Sequence, residues 1–158
     1  MVWSSGSGAD QVFWSSERFA SLTPVNGSPT ESPPVVLIVE DDPLLRMFAV
    51  EVVEEAGFVA LEAGDADEAV ALLESRPDIS VLFTDVDMPG SMDGLKLAHA
   101  VRDRWPPIKI LLVSGKVWLQ PSELPSNSRF VVKPYRAAAM VEQLRSIVGS
   151  ANRNTIFS

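Results

Sequence analysis

The stretch Val35-Val36-Leu37-Ile38-Val39-Glu40-Asp41 is a run of branched apolar residues that ends in two acids. A short apolar run of this kind is typical of a strand that is buried on both faces of a parallel sheet. Three further apolar runs have the same form and also lead to a polar residue. They are residues 81–83 before Asp85, 110–113 before Ser114, and 130–132 before Lys133. This repeated pattern predicts an α/β fold.

Helical patterns separate the apolar runs. Asp42 and Pro43 suit the N-cap and the first position of a helix, an apolar stripe follows at helical spacing, and Gly57 ends it. Asp93 is expected to cap the third helix, and His99, inside that helix, to be a surface or packing residue. The chain is predicted to form five βα units in a doubly wound five-stranded parallel sheet, with strands at 35–39, 58–62, 79–84, 108–113 and 129–132 and helices at 43–56, 65–75, 93–105 and 136–148.

The segment between the fourth and fifth strands interrupts this pattern. Pro121 and Pro125 each remove a backbone donor and restrict the preceding residue, so we predict a short or irregular fourth helix of no more than a turn or two. Trp118 and Leu119 would lie on this weakly structured segment. They would either pack onto the sheet or form a patch for a partner.

The sequence divides into an N-terminal extension (1–34), one domain (35–149) and a C-terminal tail (150–158). The extension is rich in Ser, Gly and Pro, as linkers are. It also contains four aromatic residues that would pack on the domain or on a partner: Trp3, Phe13, Trp14 and Phe19. Few residues follow Lys133, so we expect no attached DNA-binding or enzymatic effector domain.

Composition argues against several classes of function. The net charge of −8 disfavours direct binding to nucleic acid, because phosphate backbones are bound by surplus Lys and Arg. The sequence contains no Cys, which excludes disulfides, thiolate zinc sites and thiol catalysis. It shows no signal-peptide pattern and no apolar run near the ~18 residues of a membrane span. We therefore expect a cytoplasmic protein that does not enter a membrane.

Polar residues at the carboxyl ends of parallel strands should meet at one edge of the sheet, where such sheets bind ligands. Glu40, Asp41 and Asp85 would then crowd three carboxylates together, and these stay ionised only if a cation neutralises them. Ligands that are all oxygen favour Mg²⁺. The Gly/Pro turn beyond Asp85 predicts that its carboxylate is exposed at the sheet edge, where it could attack phosphorus beside a divalent cation. Ser114 and Lys133 would supply a hydroxyl and an ammonium to the phosphoryl group.

These residues lie in motifs that resemble those of bacterial response-regulator receiver domains. The resemblance covers residues 35–149, and its motifs are Val-Glu-Asp-Asp-Pro at 39–43, Thr-Asp-Val-Asp-Met-Pro-Gly at 84–90, Asp-Gly at 93–94, Val-Ser-Gly at 113–115 and Val-Lys-Pro-Tyr at 132–135. It implies a flavodoxin-like sheet of strand order 2-1-3-4-5. It also implies a single-domain response regulator of a two-component phosphorelay. Such a protein accepts a phosphoryl group from the phosphohistidine of a histidine kinase or a His phosphotransfer protein, and then switches its binding to partners.

The resemblance implies a role for each acid. Asp85 would be the phosphoryl acceptor. Asp41 and Asp85 would bind Mg²⁺ directly, Glu40 through water, and Asp87 through its main-chain carbonyl. A receiver is not a conventional enzyme, because it catalyses only its own phosphorylation and a slow dephosphorylation.

The resemblance also assigns the residues on strands four and five. Lys133 would contact the phosphoryl group and precede a cis peptide bond to Pro134. Ser114 and Phe130 would form the switch, at positions where Thr and Tyr are more common in the family. Readout through an aromatic hydroxyl would therefore be lost, whereas coupling through ring packing would remain.

Two charged side chains flank the path by which water would attack an aspartyl phosphate. Asp87 lies two residues after Asp85, and Lys116 lies two residues after Ser114. We hypothesise that they tune the lifetime of the phosphorylated state, and the alternative is that both are solvated loop charges. A homodimer is a further expectation, through the face around strand five, the last helix or the N-terminal extension.

Two alternative functions are compatible with parts of the sequence. Asp85-Val86-Asp87-Met88 resembles the nucleophile loop of haloacid-dehalogenase-like phosphohydrolases, but those enzymes place metal-binding acids after the Lys. Here Glu142 is the only acid downstream of Lys133. The other alternative is a receiver-like interaction module that acts without phosphorylation, which usually lacks the acids or the Lys that this chain retains.

Overall fold

The computed structural model describes residues 32–115 and 119–149. Its elements in chain order are β1 (Val35–Val39), α1 (Pro43–Glu55), β2 (Val59–Ala63), α2 (Ala66–Ser75), β3 (Ile79–Asp85), α3 (Gly94–Arg104), β4 (Lys109–Ser114), β5 (Ser128–Val132) and α4 (Ala137–Gly149). All strand pairs are parallel, in the order β2-β1-β3-β4-β5. The predicted doubly wound, flavodoxin-like sheet is confirmed. Within the described ranges no helix has the length and apolarity to cross a membrane.

Several predictions concern residues outside those ranges. They are the ones made for the aromatic residues of the N-terminal extension, for Lys116 and Trp118, and for the C-terminal tail. These stay predictions.

The two faces of the sheet bury separate apolar clusters. Val36 and Ile38 of β1 belong to the cluster that includes α1 and α4, whereas Leu37 and Val39 belong to the one that includes α2 and α3. The strands are therefore covered on both sides, which explains their unbroken apolar runs. The same arrangement leaves the carboxyl ends of the strands as the edge where polar side chains can gather.

Acidic caps begin three of the helices, as predicted for Asp42 and Asp93, whereas Asp65 was expected to be the first residue of its helix. The side chains of Asp42, Asp65 and Asp93 each accept backbone N–H hydrogen bonds in the first turn of α1, α2 and α3, respectively. Asp93 thus has the capping role expected of it. Asp42 and Asp65 lie within three residues of the ends of β1 and β2, so their caps fix where the chain turns from the sheet into the next helix.

Several element boundaries differ from prediction by one residue. β2 is Val59–Ala63 rather than 58–62, and β4 is Lys109–Ser114 rather than 108–113. Asp85 and Ser114 are the last residues of β3 and β4 instead of following them. The backbone pairing continues through both, since Asp85 is paired with Val113 and Ser114 with Val132.

In the described part of the segment between β4 and β5, residues 119–127, the helical structure is one turn of 3₁₀ helix, Pro121–Glu123, as the prolines predict. Leu119 is half-buried and packs against the cluster that includes α2 and α3. Of the two readings considered for this residue, packing is therefore the one observed. Trp118 lies outside the described residues.

Two side chains of α3 hold this segment by its backbone. The Arg102 guanidinium donates to the carbonyls of Ser126 and Asn127 in this segment, and also to those of Pro106 and Ile108 between α3 and β4. His99 Nε2 lies 2.8 Å from the carbonyl oxygen of Glu123, to which it donates when it carries the ring proton. His99 is thus an exposed residue with a satisfied ring, as predicted.

Gly94, the first residue of α3, lies against the backbone of Asp85. A β-carbon at position 94 would overlap the Asp85 carbonyl and come within 2.9 Å of the Val86 Cα. We therefore expect Gly94→Ala to lower the free energy of unfolding by about 2–3 kcal/mol, because backbone must move to admit the methyl group. Chemical denaturation should show little loss in the control Gly64→Ala, whose β-carbon would lie 3.5 Å from its nearest neighbours. Equal stability of the two variants would contradict this close approach.

Candidate functional site

Three of the predicted acids converge at the carboxyl end of the sheet. Glu40 and Asp41 follow β1, and Asp85 ends the neighbouring strand β3. One carboxylate oxygen of each lies within 4.8 Å of those of the other two, which is close enough to share a metal ion. A donor set made only of carboxylate oxygens suits Mg²⁺.

The turn that carries Glu40 and Asp41 is fixed by hydrogen bonds at both ends of Glu40. Its carboxylate accepts from the Asp42 N–H at 3.1 Å, and its carbonyl accepts from Arg46 Nη1 at 2.7 Å. Arg46 is oriented in turn by the Glu62 carboxylate on β2, 3.2 Å from its Nε. Arg46 is a site residue that the motifs do not reveal. Its signal in the sequence is a cation one turn into a helix that follows three acids.

Lys133 lies between two of the carboxylates. Its Nζ is 3.2 Å from Asp85 Oδ1 and 3.3 Å from Glu40 Oε1. The Lys133 N–H donates to the Ser114 carbonyl at 2.9 Å, and the predicted cis peptide bond to Pro134 follows. The ammonium is therefore held against the acids by backbone contacts with β4.

The Asp85 carboxylate is buried, so the expectation that it is exposed at the sheet edge was wrong. Asp85 and Glu40 each expose only 7% of their surface, whereas Asp41 is exposed. The reason is that β3 continues through Asp85 and the Lys133 side chain lies against it. A reagent that reaches Asp85 must enter a recess instead of meeting it on an open rim.

Burial and charge shift the pKa values of the site. Burial raises the pKa of Asp85, and Asp87 and Asp41 raise it further, while Lys133 opposes them. Burial also raises the pKa of Glu40. For Lys133 burial alone would lower the pKa, but the charges of Asp85 and Glu40 outweigh it and the pKa is raised. The cluster of three carboxylates has one ammonium beside it, which pairs with two of them, and the remaining negative charge is what a divalent cation would neutralise.

The predicted switch residues lie on β4, which is next to β3, and on β5, which is next to β4. Ser114 is buried, and its Oγ donates to Asp87 Oδ2 at 3.2 Å. Phe130, on β5, is half-buried and packs against the cluster that includes α2 and α3. Lys116 lies outside the described residues, so its pairing with Asp87 stays a prediction.

An apolar cavity of about 180 Å³ adjoins Asp85 and Lys133. It lies between α1 and the residues after β5, and its apolar lining includes Leu45, Phe48, Phe83, Pro134 and Tyr135. The Tyr135 ring packs against Phe48 and Phe83, with ring centroids 5.7 and 6.4 Å apart, and burial raises the pKa of its hydroxyl to about 12. One side of the acidic recess is therefore apolar.

Comparison with known proteins agrees with this geometry. The family model of the response regulator receiver domain matches residues 36–145. The chain is 31% identical over 119 residues to the response regulator receiver protein CpdR of Brucella abortus (strain 2308), covering 73% of this chain and 98% of CpdR. It is 33% identical over 100 residues to the sensor kinase CckA of the same organism, covering 63% of this chain and 10% of CckA.

A solved structure has the same fold. A CheY-like response regulator receiver domain protein from Methanospirillum hungatei JF-1 superposes with a TM-score of 0.69 at 21% identity, covering 78% of this chain and 100% of that chain. The structural likeness shows the fold, and the family match extends over most of the chain. The chain therefore belongs to the response regulator receiver domains of two-component signalling.

Proposed function

We propose that Asp85 accepts a phosphoryl group from the phosphohistidine of a histidine kinase or a His phosphotransfer protein. The observation that carries this proposal is the surroundings of the Asp85 carboxylate. It shares a metal-sized cluster with Glu40 and Asp41, and the Lys133 ammonium lies 3.2 Å away. Receiver domains as a family take phosphoryl groups from such donors, and the likeness to a sensor kinase supports a place in a phosphorelay.

In the proposed reaction an Asp85 carboxylate oxygen attacks phosphorus. The bond from phosphorus to the donor's imidazole nitrogen breaks, its electron pair stays on that nitrogen, and the product is an aspartyl phosphate. Mg²⁺, when bound by Glu40, Asp41, Asp85 and the Asp87 main-chain carbonyl, would neutralise the acids and the phosphoryl oxygens. Lys133 would contribute its ammonium, which can move from the Asp85 oxygen to a phosphoryl oxygen. In this proposal the protein is not a conventional enzyme, and it catalyses its own phosphorylation and a slow dephosphorylation.

The proposed readout uses Ser114 and Phe130. Ser114 ends the strand beside β3, and Phe130 lies on the next strand, paired with Leu112. A phosphoryl group on Asp85 would attract the Ser114 hydroxyl, and movement of the hydroxyl would let the Phe130 ring repack. The side chains of Asp87 and Lys116 are proposed to tune how long the phosphoryl group lasts.

A protein donor is proposed to dock on the start of α1. This helix exposes an unusual amount of apolar surface beside the recess: Leu44 (73%), Met47 (52%), Leu45 (44%) and Phe48 (38%). Leu45 and Phe48 also line the cavity next to Asp85. A protein that brings a histidine to Asp85 would cover this surface, and apolar contact would stabilise the complex.

The test compares two donors, acetyl phosphate and a purified His phosphotransfer protein phosphorylated on histidine. With Mg²⁺ the protein should gain one phosphoryl group that hydroxylamine removes, as it does acyl phosphates, and with excess chelator it should gain none. Leu44→Asp should slow phosphorylation by the protein donor at least about tenfold more than it slows phosphorylation by acetyl phosphate. Val59→Asp, which changes an apolar residue exposed on β2, is the control. Absence of any adduct with both donors would rule out the proposed function.

Mg²⁺ should stabilise the protein more strongly as the pH rises from about 5 to about 8. Burial raises the pKa of Asp85 and of Glu40 in the folded protein. Without metal these groups therefore favour folding while protonated, and this contribution is lost as the pH rises through the raised pKa values. The same protons compete with Mg²⁺ for the carboxylates. Melting temperatures with and without Mg²⁺ should diverge toward neutral pH, and a pH-independent difference would contradict this linkage.

The phosphohydrolase alternative has no support from the described residues. The acids that cluster with Asp85 are the upstream Glu40 and Asp41, whereas Glu142 belongs to α4. The other alternative, an interaction module that acts without phosphorylation, likewise has no support from the comparisons. A homodimer through β5, α4 or the N-terminal extension and a cytoplasmic location stay predictions.

A further inference from the structure

The Ser114 hydroxyl already has a charged acceptor in the unphosphorylated protein. Ser114 is only 1% exposed, and its Oγ donates to Asp87 Oδ2 at 3.2 Å. Hydrogen bonds to an ionised group are stronger than those between neutral groups. A phosphoryl group on Asp85 would therefore have to draw the hydroxyl away from a carboxylate and not from water.

Strand hydrogen bonds hold the backbone around Ser114, so its side chain is the part that can move. Ser114 is paired with Val132, and its carbonyl accepts from the Lys133 N–H at 2.9 Å. On the other side, the Val113 carbonyl accepts from the Val86 N–H at 2.9 Å. Rotation about the Ser114 Cα–Cβ bond can transfer the hydroxyl from one acceptor to another without breaking these strand contacts.

The Asp87 carboxylate is separate from the metal cluster. Among the described residues the cluster consists of Glu40, Asp41 and Asp85. The role proposed above for Asp87 as a metal ligand uses its main-chain carbonyl, so its side chain is not committed to the ion. Its observed contact on β4 is the one with Ser114.

We propose that the Asp87 carboxylate is a latch that holds the Ser114 hydroxyl in the resting position and competes for it with the phosphoryl group on Asp85. Asp87 is thus a positioning residue that acts through Ser114. The latch lowers the population of the switched state before phosphorylation, because the switched state must give up the charged acceptor. The inference rests on the proposed function, since it requires that Asp85 be phosphorylated.

A double-mutant cycle separates the latch from simple electrostatics. Removing the Asp87 charge also lowers the repulsion that an incoming phosphoryl group meets, so Asp87→Ala alone should speed phosphorylation for two reasons. The electrostatic effect is the same whether or not Ser114 has a hydroxyl, whereas the latch needs that hydroxyl. The rate of phosphorylation from acetyl phosphate is therefore measured for wild type, Asp87→Ala, Ser114→Ala and the double variant, each at saturating Mg²⁺.

Asp87→Ala should raise the rate of phosphorylation by some factor in each background. The latch predicts that this factor is at least about three times larger with Ser114 present than in the Ser114→Ala background. Asp87→Asn keeps an acceptor oxygen without the charge and should give an intermediate coupling. Amide chemical shifts around Phe130 in unphosphorylated Asp87→Ala should move toward those of the phosphorylated wild type. Equal effects of Asp87→Ala in both backgrounds, or shifts that do not move, would overturn the latch. If wild type gains no phosphoryl group at all, the failure lies with the proposed function instead.

Discussion

Replacing Asp85 with asparagine should abolish the uptake of a phosphoryl group. The amide has no anionic oxygen to attack phosphorus and cannot form the mixed anhydride that the proposed reaction produces. Asparagine has nearly the same shape as aspartate, so the packing around the end of β3 should survive. Intact mass after incubation with acetyl phosphate and Mg²⁺ should show one adduct on the wild type and none on Asp85→Asn.

Asp93→Asn is the matched control for this experiment. Asp93 is also an aspartate near the carboxyl end of the sheet, but its side chain caps α3 by accepting from the Lys96 N–H at 2.9 Å. Asparagine caps helices about as well as aspartate, so this variant should fold and gain the adduct normally. An adduct on Asp85→Asn that equals the wild type would mean that another residue is the acceptor.

Replacing Lys133 with glutamine should slow phosphorylation by about 10²–10³-fold. Loss of one donor that stabilises developing charge has an effect of this size in enzyme sites. The ammonium is placed for the task, since its Nζ lies 3.2 Å from Asp85 Oδ1 in the resting protein. Time courses with acetyl phosphate at saturating Mg²⁺ measure the effect. Lys109→Gln is the control, because Lys109 begins β4 and lies at the opposite end of that strand from the site. Its rate of phosphorylation should stay within about twofold of the wild-type rate.

The same substitution should destabilise the metal-free protein. Without the ammonium, the buried carboxylates of Glu40 and Asp85 lose the cation that lies between them. The Lys133 side chain is 24% exposed, so partial solvation limits the cost to about 1–2 kcal/mol at neutral pH. Mg²⁺ should restore most of this loss, because it neutralises the same acids. A variant as stable as the wild type without metal would show that Lys133 does not offset the charge of the acids.

Much of the fold is predictable because both faces of the sheet are buried. That burial requires unbroken apolar strands, and the polar residue at the end of each strand marks the edge where Asp85, Ser114 and Lys133 lie. The short 3₁₀ turn between β4 and β5 is also predictable, because Pro121 and Pro125 act locally on the backbone. Strand ends were missed by one residue because pairing with a neighbouring strand, and not local sequence, decides where β3 and β4 stop.

The parts of the site that escaped prediction depend on tertiary contacts. Asp85 is buried because Lys133, far along the chain, lies over it, and nothing in the local Gly/Pro turn indicates this. The bond from Ser114 to Asp87 depends on the side-chain rotamers of a strand residue and of a residue in the loop after β3, which the sequence places only approximately. Arg46 reaches the Glu40 carbonyl across a turn of α1, and a cation one turn into a helix does not by itself identify the main-chain atom that it contacts.

Arg102 and His99 of α3 hold the segment before β5 through its main chain and not through its side chains. Arg102 and His99 contact the carbonyl oxygens of Glu123 and Ser126, and every residue has such an oxygen, so these contacts place no demand on which side chains stand at positions 123 and 126. Gln120, Ser122 and Ser126 are exposed. Substitution of Ser122 or Ser126 should therefore alter the chemistry of this surface while the contacts from α3 keep the segment in place.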